Sequence, residues 1–211
     1  MDILFISCSS RLSGTLNNAK LVASELLQEF PERKIICFDS LRSNYAEGLM
    51  ALDAAKMALE GKEMDETLKY LEENCLNYQV YATVETLNFL KLAGRVKATT
   101  AFFGNLLGVK PMIVSDALGN NYAFKKVKGR KNSLMELAKI IKDRVINPDD
   151  ATVFIEHADA LEDAKFIASQ IEGTVKDVHI SYVGPMIGAT VGPGSITISF
   201  YGEKVDIANK E

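Results

Sequence analysis

No stretch of this 211-residue chain approaches the roughly 18 apolar residues in a row that a membrane helix needs. Nor does a basic start lead into an apolar h-region, so no signal peptide is expected. Excess basic charge is missing too: a net charge of −4 argues against a dedicated nucleic-acid binder. Cysteine is sparse. Cys8, Cys37 and Cys75 are an odd number without metal-ligand spacing, so no metal site is expected. Cys8 and Cys37 each end an apolar strand, which predicts buried thiols in a reducing compartment, the cytoplasm. Familiar catalytic signatures are absent as well. There is no GxxxxGK[ST] phosphate loop and no GxSxG elbow, and only His157 and His179 could serve as a base. No internal repeat, low-complexity segment or long linker breaks the chain. What is left, 47% hydrophobic and 25% charged residues, is the composition of an ordinary globular protein of one large domain or two small ones.

The first part reads strand (3–8), helix (15–30), strand (35–38), helix (45–60) and helix (64–75). Leu16, Ala19, Val22, Ala23, Leu26, Leu27 and Phe30 share one face of the first helix. Gly61 closes the alanine-rich second helix. Strand–helix–strand–helix order implies a right-handed parallel unit, here of two strands with a bare edge. From about Tyr78 the rhythm changes. Strands are predicted at 79–84, 110–115, 122–128, 151–156, 177–183 and 195–201, with helices at 85–92, 98–107, 133–146 and 159–172. Gly119-Asn120-Asn121 predicts an antiparallel hairpin, and Asp159 with Glu162 a capping box before a helix that Gly173 ends. The fold class is α/β plus α+β. A truncated Rossmann-like parallel domain (1–77) precedes a domain (78–211) with a six-stranded, mostly antiparallel sheet and packed helices.

The stretch SCSSRLSGT at 7–15 carries the strongest chemistry. Ser7, Ser9, Ser10 and Ser13 precede Gly14, and a helix starts at Thr15. Free N–H groups at a helix start, with hydroxyls beside them, receive a carboxylate or phosphate. Without a lysine after Gly14, a carboxylate receptor needs fewest assumptions. The plain alternative is that Ser13 only caps the helix. Residues 184–194, GPMIGATVGPG, read as a loop with four glycines, against which a ligand could pass, or as a tight structural turn around Thr190. Lys125, Lys126, Lys128, Arg130 and Lys131 form a basic run. Strand alternation puts Lys126, Lys128 and Arg130 on one face, as a solvated strand end or as cations toward an anionic ligand. Arg95 follows a helix end, as a C-terminal cap or a partner contact. His157 ends a strand and His179 alternates with apolar neighbours; both read as structural.

In order along the chain, these pieces resemble the DegV family, fatty-acid-binding proteins that include the bacterial FakB subunits. The matching residues are ISCSSRLSGT at 6–15, Phe38-Asp39-Ser40, LKLAGRV at 90–96 and Gly108-Val109-Lys110-Pro111. They continue with KVKGRK at 126–131, His157, and VGPMIGATVGPG at 183–194. The resemblance implies a long-chain fatty acid in a tunnel between two domains. Ser13 would hold its carboxylate, with Ser9, Ser10, Gly14 and Thr15 around it. Lys128, Arg130, Gly188 and Thr190 would lie near the head group or acyl phosphate, and Arg95 on a kinase-facing surface. The protein would be a carrier without catalysis of its own and without a cofactor, presenting fatty acid to a separate ATP-dependent fatty-acid kinase. Thr190 stands where many members have histidine, and Lys128 where many have arginine. The family's opening segment is expected to be missing, with its first strand and a TSxP loop that also contacts the carboxylate. Self-association through the bare edge, or origin in a longer protein, is the expected consequence. Two other functions fit the residues: a small serine hydrolase or acyltransferase using Ser13 and His157, or a divergent domain whose tunnel is closed and holds no lipid.

Overall fold

The computed structural model describes residues 2–98 and 108–208. Two sheets organise them, one of two strands and one of six. β1 (Ile3–Ser7) and β2 (Ile35–Asp39) pair in parallel, with Ile3 opposite Ile35 and Ser7 opposite Asp39. α1 (Thr15–Glu29) crosses between them, followed by α2 (Asn44–Leu59) and α3 (Met64–Asn74). α2 ends as the glycine predicts. Gly61 takes φ 79°, its N–H bonds Ala58 and the Lys62 N–H bonds Met57, which satisfies the last carbonyls.

The six-stranded sheet runs β5-β4-β3-β8-β6-β7. β3 is Tyr78–Thr83, β4 Val109–Ser115, β5 Asn121–Lys128, β6 Thr152–His157, β7 Asp177–Tyr182 and β8 Ile196–Tyr201. Every pairing is antiparallel except β6 with β7, which a helix connects. The helices are α4 (Asn88–Ala93), α5 (Arg130–Arg144), α6 (Leu161–Gln170) and α7 (Pro185–Val191). The molecule is thus the expected two-domain α/β fold.

Period-two alternation divides the labour of the six-stranded sheet. Tyr81, Met112, Val114, Ile196, Ile198 and Phe200 join the main core with α5 and α6. The alternate residues Val80, Ala82, Ile113 and Thr197 face the other way, toward a cavity. α2 bridges the sheets: its buried Ala46 and Met50 pack with Phe38 of β2 and with Tyr78 and Val80 of β3.

Several expectations need correction. α1 buries only Leu16 and Ala23, and Val22 on its apolar face is 53% exposed, because a two-stranded sheet offers little surface to cover it. The three thiols are free but only half-buried. α4 begins three residues later than predicted and α5 three earlier, directly after Gly129 (φ 87°). α6 has no capping box. Asp159 takes φ 53°, Ala160 holds the N-cap position, and Glu162 pairs with Lys165 at 2.8 Å instead. The presumed loop at 184–194 contains α7, with Pro185 in the first turn and Gly192 just beyond the end, an arrangement that favours a helix. The helix expected over 98–107 lies outside the described residues apart from Ala98.

Candidate functional site

The serine turn is anchored before it can bind anything. Ser9 is fully buried; its N–H donates to the Arg42 carbonyl (2.8 Å) and its hydroxyl to the Gly119 carbonyl (2.8 Å) in the β4–β5 hairpin. A Cβ on Gly119, which has φ 85°, would collide with the Ser9 hydroxyl, so both steric space and conformation require glycine there. The Arg42 side chain, fully buried, donates from one terminal nitrogen to Leu41 (2.8 Å) and Asp116 (2.9 Å) carbonyls. Burial pulls its guanidinium down to about 10, against opposing pulls from Cys75, Asp116 and Tyr81. Ser115 adds a hydroxyl bond to the Leu41 carbonyl (3.3 Å). Leu41 and Asn44 hold positive φ of 52° and 58°, a conformation that costs energy at leucine and persists where the surroundings enforce it. Asp39 accepts from the Ser10 and Leu41 N–H groups at 3.2 and 3.1 Å. The result is a polar clasp between the two sheets.

Beside the clasp lies a cavity of about 540 Å³, within the range of small-molecule sites. Its walls are apolar: Val80, Ala82 and Val84 from β3 and the residue after it, Leu90 from α4, Ile113 from β4, and Met186, Ile187 and Val191 from α7. At one side stand Cys8, Leu12, Ser13 and Thr15 of the serine turn, together with Asn44 and Glu47 of α2. Ser13 Oγ accepts from the Thr15 N–H (3.2 Å) and lies 2.8 Å from Thr15 Oγ1. Gly14, at the N-cap position, has no side chain to satisfy the helix start, and Ser13 supplies that oxygen in part. Both readings of Ser13, a local cap and a wall residue, therefore describe its geometry.

The other expected site residues divide. Thr15, Arg95 and Thr190 line the cavity with Ser13; Ser9, Ser10, Gly14, Lys128, Arg130 and Gly188 do not. Ser9 is spent in the clasp, and Ser10 is exposed. Gly14 has ordinary helical φ of −77°. Arg95 closes the end of α4, its guanidinium donating to the Ala93 carbonyl and, at 3.3 Å, to Leu12. Thr190 bonds back to the Met186 carbonyl (2.9 Å) within α7. Strand alternation does not reach Arg130, because β5 ends at Lys128 and Arg130 opens α5. There it is ion-paired to Asp163 (2.7 Å) and close to Glu85 (3.6 Å), while Lys128 is exposed. Two of the four glycines of 184–194 serve the protein's own packing. Cβ atoms at Gly192 and Gly194 would run into Phe89 and Glu85.

His157 is not brought to Ser13. It is buried away from the cavity, Nδ1 accepts from the Ala160 N–H (3.3 Å), and its ring lies 4.3 Å from that of Tyr182. The hydrolase pairing therefore has no geometric basis, and the open cavity also removes the closed-tunnel alternative. His179 stacks on Phe154 at 5.2 Å, as a structural residue would.

Two wall residues carried no sequence signal. The Cys8 thiol is pushed up to about 11 by burial and by the charges of Glu47 and Asp39, so it is a poor nucleophile. The Glu47 carboxyl is raised by burial, against a smaller opposing pull from the Cys8 backbone. Glu156 is buried and likewise raised by that burial, against opposing pulls from the Asn44 side chain and the Tyr45 backbone, and its Oε2 has no partner.

A two-domain α/β molecule with an apolar cavity at the meeting of its sheets, opening on a serine turn, defines a small-molecule-binding class. The chain belongs to the DegV family. The family model described as an uncharacterised protein, DegV family, matches residues 1–203. A DegV domain-containing protein of Clostridium perfringens is 38% identical over 205 residues, which is 96% of this chain and 70% of the relative. Among solved structures, a Thermus thermophilus DegV family protein described by its fatty acid binding superposes with TM-score 0.85 at 26% identity, covering 96% of this chain and 71% of that one. A Ruminococcus gnavus DegV family protein refined with vaccenic acid gives TM-score 0.83 at 25% identity, covering 94% and 71%. Among the described residues no helix is long and apolar enough to cross a membrane.

Proposed function

We propose that this protein is a carrier that holds a long-chain fatty acid in the cavity between its two domains and presents it to a separate fatty-acid kinase. The cavity carries the reading. Its apolar walls suit an acyl chain, whose burial contributes about 0.8 kcal/mol per methylene. Ser13 and Thr15, at the start of α1, suit the carboxylate, because hydroxyls and free N–H groups there favour an anion. Fatty acids described with relatives of this fold support the same ligand class. Arg95, exposed on the cavity wall, is the residue we place toward the kinase, and Thr190 is placed near the head group. Ser10, Gly14 and Gly188 take at most an indirect part, and Lys128 and Arg130 act only if the partner or acyl phosphate reaches them. The carrier does no chemistry of its own and works in the cytoplasm, with the domain division at 77/78. The bare edge of β1 and the exposed Leu21 and Val22 of α1 support self-association.

Native mass spectrometry tests the reading. Protein loaded with palmitate or oleate should carry one non-covalent fatty acid that organic solvent releases; repeated absence after loading overturns it. A kinase that phosphorylates the bound acid only when Arg95 is intact supports the partner surface. Light scattering that shows a monomer at micromolar concentration, with a cooperative thermal transition, removes the self-association.

A further inference from the structure

We propose that Glu47 is a specificity-determining residue of the lipid cavity: a fatty-acid carboxylate binds beside it only with the uptake of one proton, so affinity for the acid falls as pH rises. The inference deepens the lipid-carrier reading and rests on it. Glu47 lies in the first turn of α2 and lines the same cavity as Ser13 and Thr15. It shares that wall with Cys8, whose thiol its charge pushes up. The protein thus places its own acid in the site meant to receive a ligand's acid.

Little positive charge faces the pair. Arg95 is the one basic side chain on the cavity wall among the described residues, and its guanidinium donates to the Leu12 and Ala93 carbonyls. From β1 comes the Cys8 thiol, with Asp39 of β2 near it. Toward β6 and β7, Glu47 borders a second cavity of about 460 Å³ with Glu156 and Tyr182. None of these four supplies a cation. Two carboxylates in one sheltered site do not both ionise readily, and a shared proton is the ordinary resolution. Burial raises the Glu47 carboxyl above the ordinary carboxylate range, which lowers the cost of taking up that proton when a second carboxylate arrives. Protonated, it becomes a donor to the ligand carboxylate; ionised, it repels it. A neutral head group such as an alcohol meets no such condition.

The test is titration calorimetry of oleate binding between about pH 6 and about pH 8, in buffers of different ionisation enthalpy. Wild type is compared with Glu47→Gln, which keeps the side chain's size and hydrogen-bonding capacity but cannot ionise. Oleyl alcohol, measured by displacement of a fluorescent fatty acid, is the neutral ligand and shows that the variant's cavity is intact. Wild type should take up close to one proton per oleate and lose affinity with rising pH, toward the limiting slope of about tenfold per pH unit. Glu47→Gln should take up none and bind oleate with little pH dependence, and oleyl alcohol should be flat for both proteins. Equal pH slopes in the two proteins, or no proton uptake by wild type, overturn the proposal. Failure of both proteins to bind either ligand at any pH overturns instead the lipid reading beneath it.

Discussion

α1 and α5 are both 15 residues long, yet they are buried very differently. α5 packs on the six-stranded sheet and buries Ser133, Leu134, Leu137, Ala138, Ile140 and Ile141; α1, beside two strands, buries Leu16 and Ala23. The strands repeat the contrast. Every residue of β3 is buried, whereas β1 buries only Ser7. An apolar helix face is therefore only an offer of burial, and the area of sheet opposite decides how much of it is taken up. The smaller region keeps its place through polar contacts, the clasp of Ser9, Arg42, Asp116 and Gly119, as much as through α2.

The sharpest way to break this comparison is to remove equal side chains from the two regions. Ile198→Ala in β8 should cost about 3 kcal/mol in urea unfolding, since Ile198 is fully buried in the main core. Leu26→Ala in half-covered α1 should cost under about 1 kcal/mol. Equal costs would mean that α1 is better covered in solution than here. Next, Arg42→Ala should cost about 2 kcal/mol, by removing the guanidinium's bonds to the Leu41 and Asp116 carbonyls, each of which keeps one other donor, and by opening a void. It should also separate the loss of the two-stranded region from the main transition; a single unchanged transition would show that α2 alone couples the sheets. Ser13→Ala should weaken fatty-acid binding by about 1 kcal/mol, read by ligand displacement, and lower the thermal midpoint slightly through the lost bond to the Thr15 N–H.

A smaller effect separates the buried acids from the rest of the core. The folded-state pKa of Glu156 is raised, so its contribution to stability is fully present below its unfolded pKa and is lost as pH rises through the folded value. Glu156→Gln should raise Tm at pH above neutrality, by an increment that shrinks toward acid pH; thermal scans across pH read it. Last, Val22→Ser on the exposed face of α1 should change stability by under about 0.5 kcal/mol. It should weaken any self-association seen by light scattering.

Much of the fold was legible. β4, β5, β6 and β8 stand within a residue of their predicted positions, because each is a compact apolar run bounded by turn residues. The glycine-rich segment at 184–194 misled because flexibility was inferred from composition. Pro185 and Gly192 bracket a helix, and the glycine freedom is used where Phe89 and Glu85 press on the backbone. The cap expected at Asp159 failed for a local reason: Asp159 takes φ 53° outside the helix, and His157 receives the N–H of Ala160 at the N-cap position. Within the site, Ser13 and Thr15 were readable from hydroxyls before a helix. Ser9 was not separable from them, because only the hairpin's approach diverts its hydroxyl to Gly119. Glu47 gave no signal at all: on α2 alone it looks like a solvated acid in the first turn.

The sequence by itself determined the strand order, the change of rhythm near residue 78, the family pattern, and the hydroxyl-rich helix start at residues 7–15. Those properties are local, set by apolar periodicity, turn residues and the free N–H groups of a helix start. Only the tertiary structure decided which serines face a cavity, that Arg42 and Gly119 anchor the turn, and that Glu47 shares its wall with Ser13. Those depend on the approach of two sheets from distant parts of the chain, and burial, which changes both hydrogen-bonding and charge, follows from that approach.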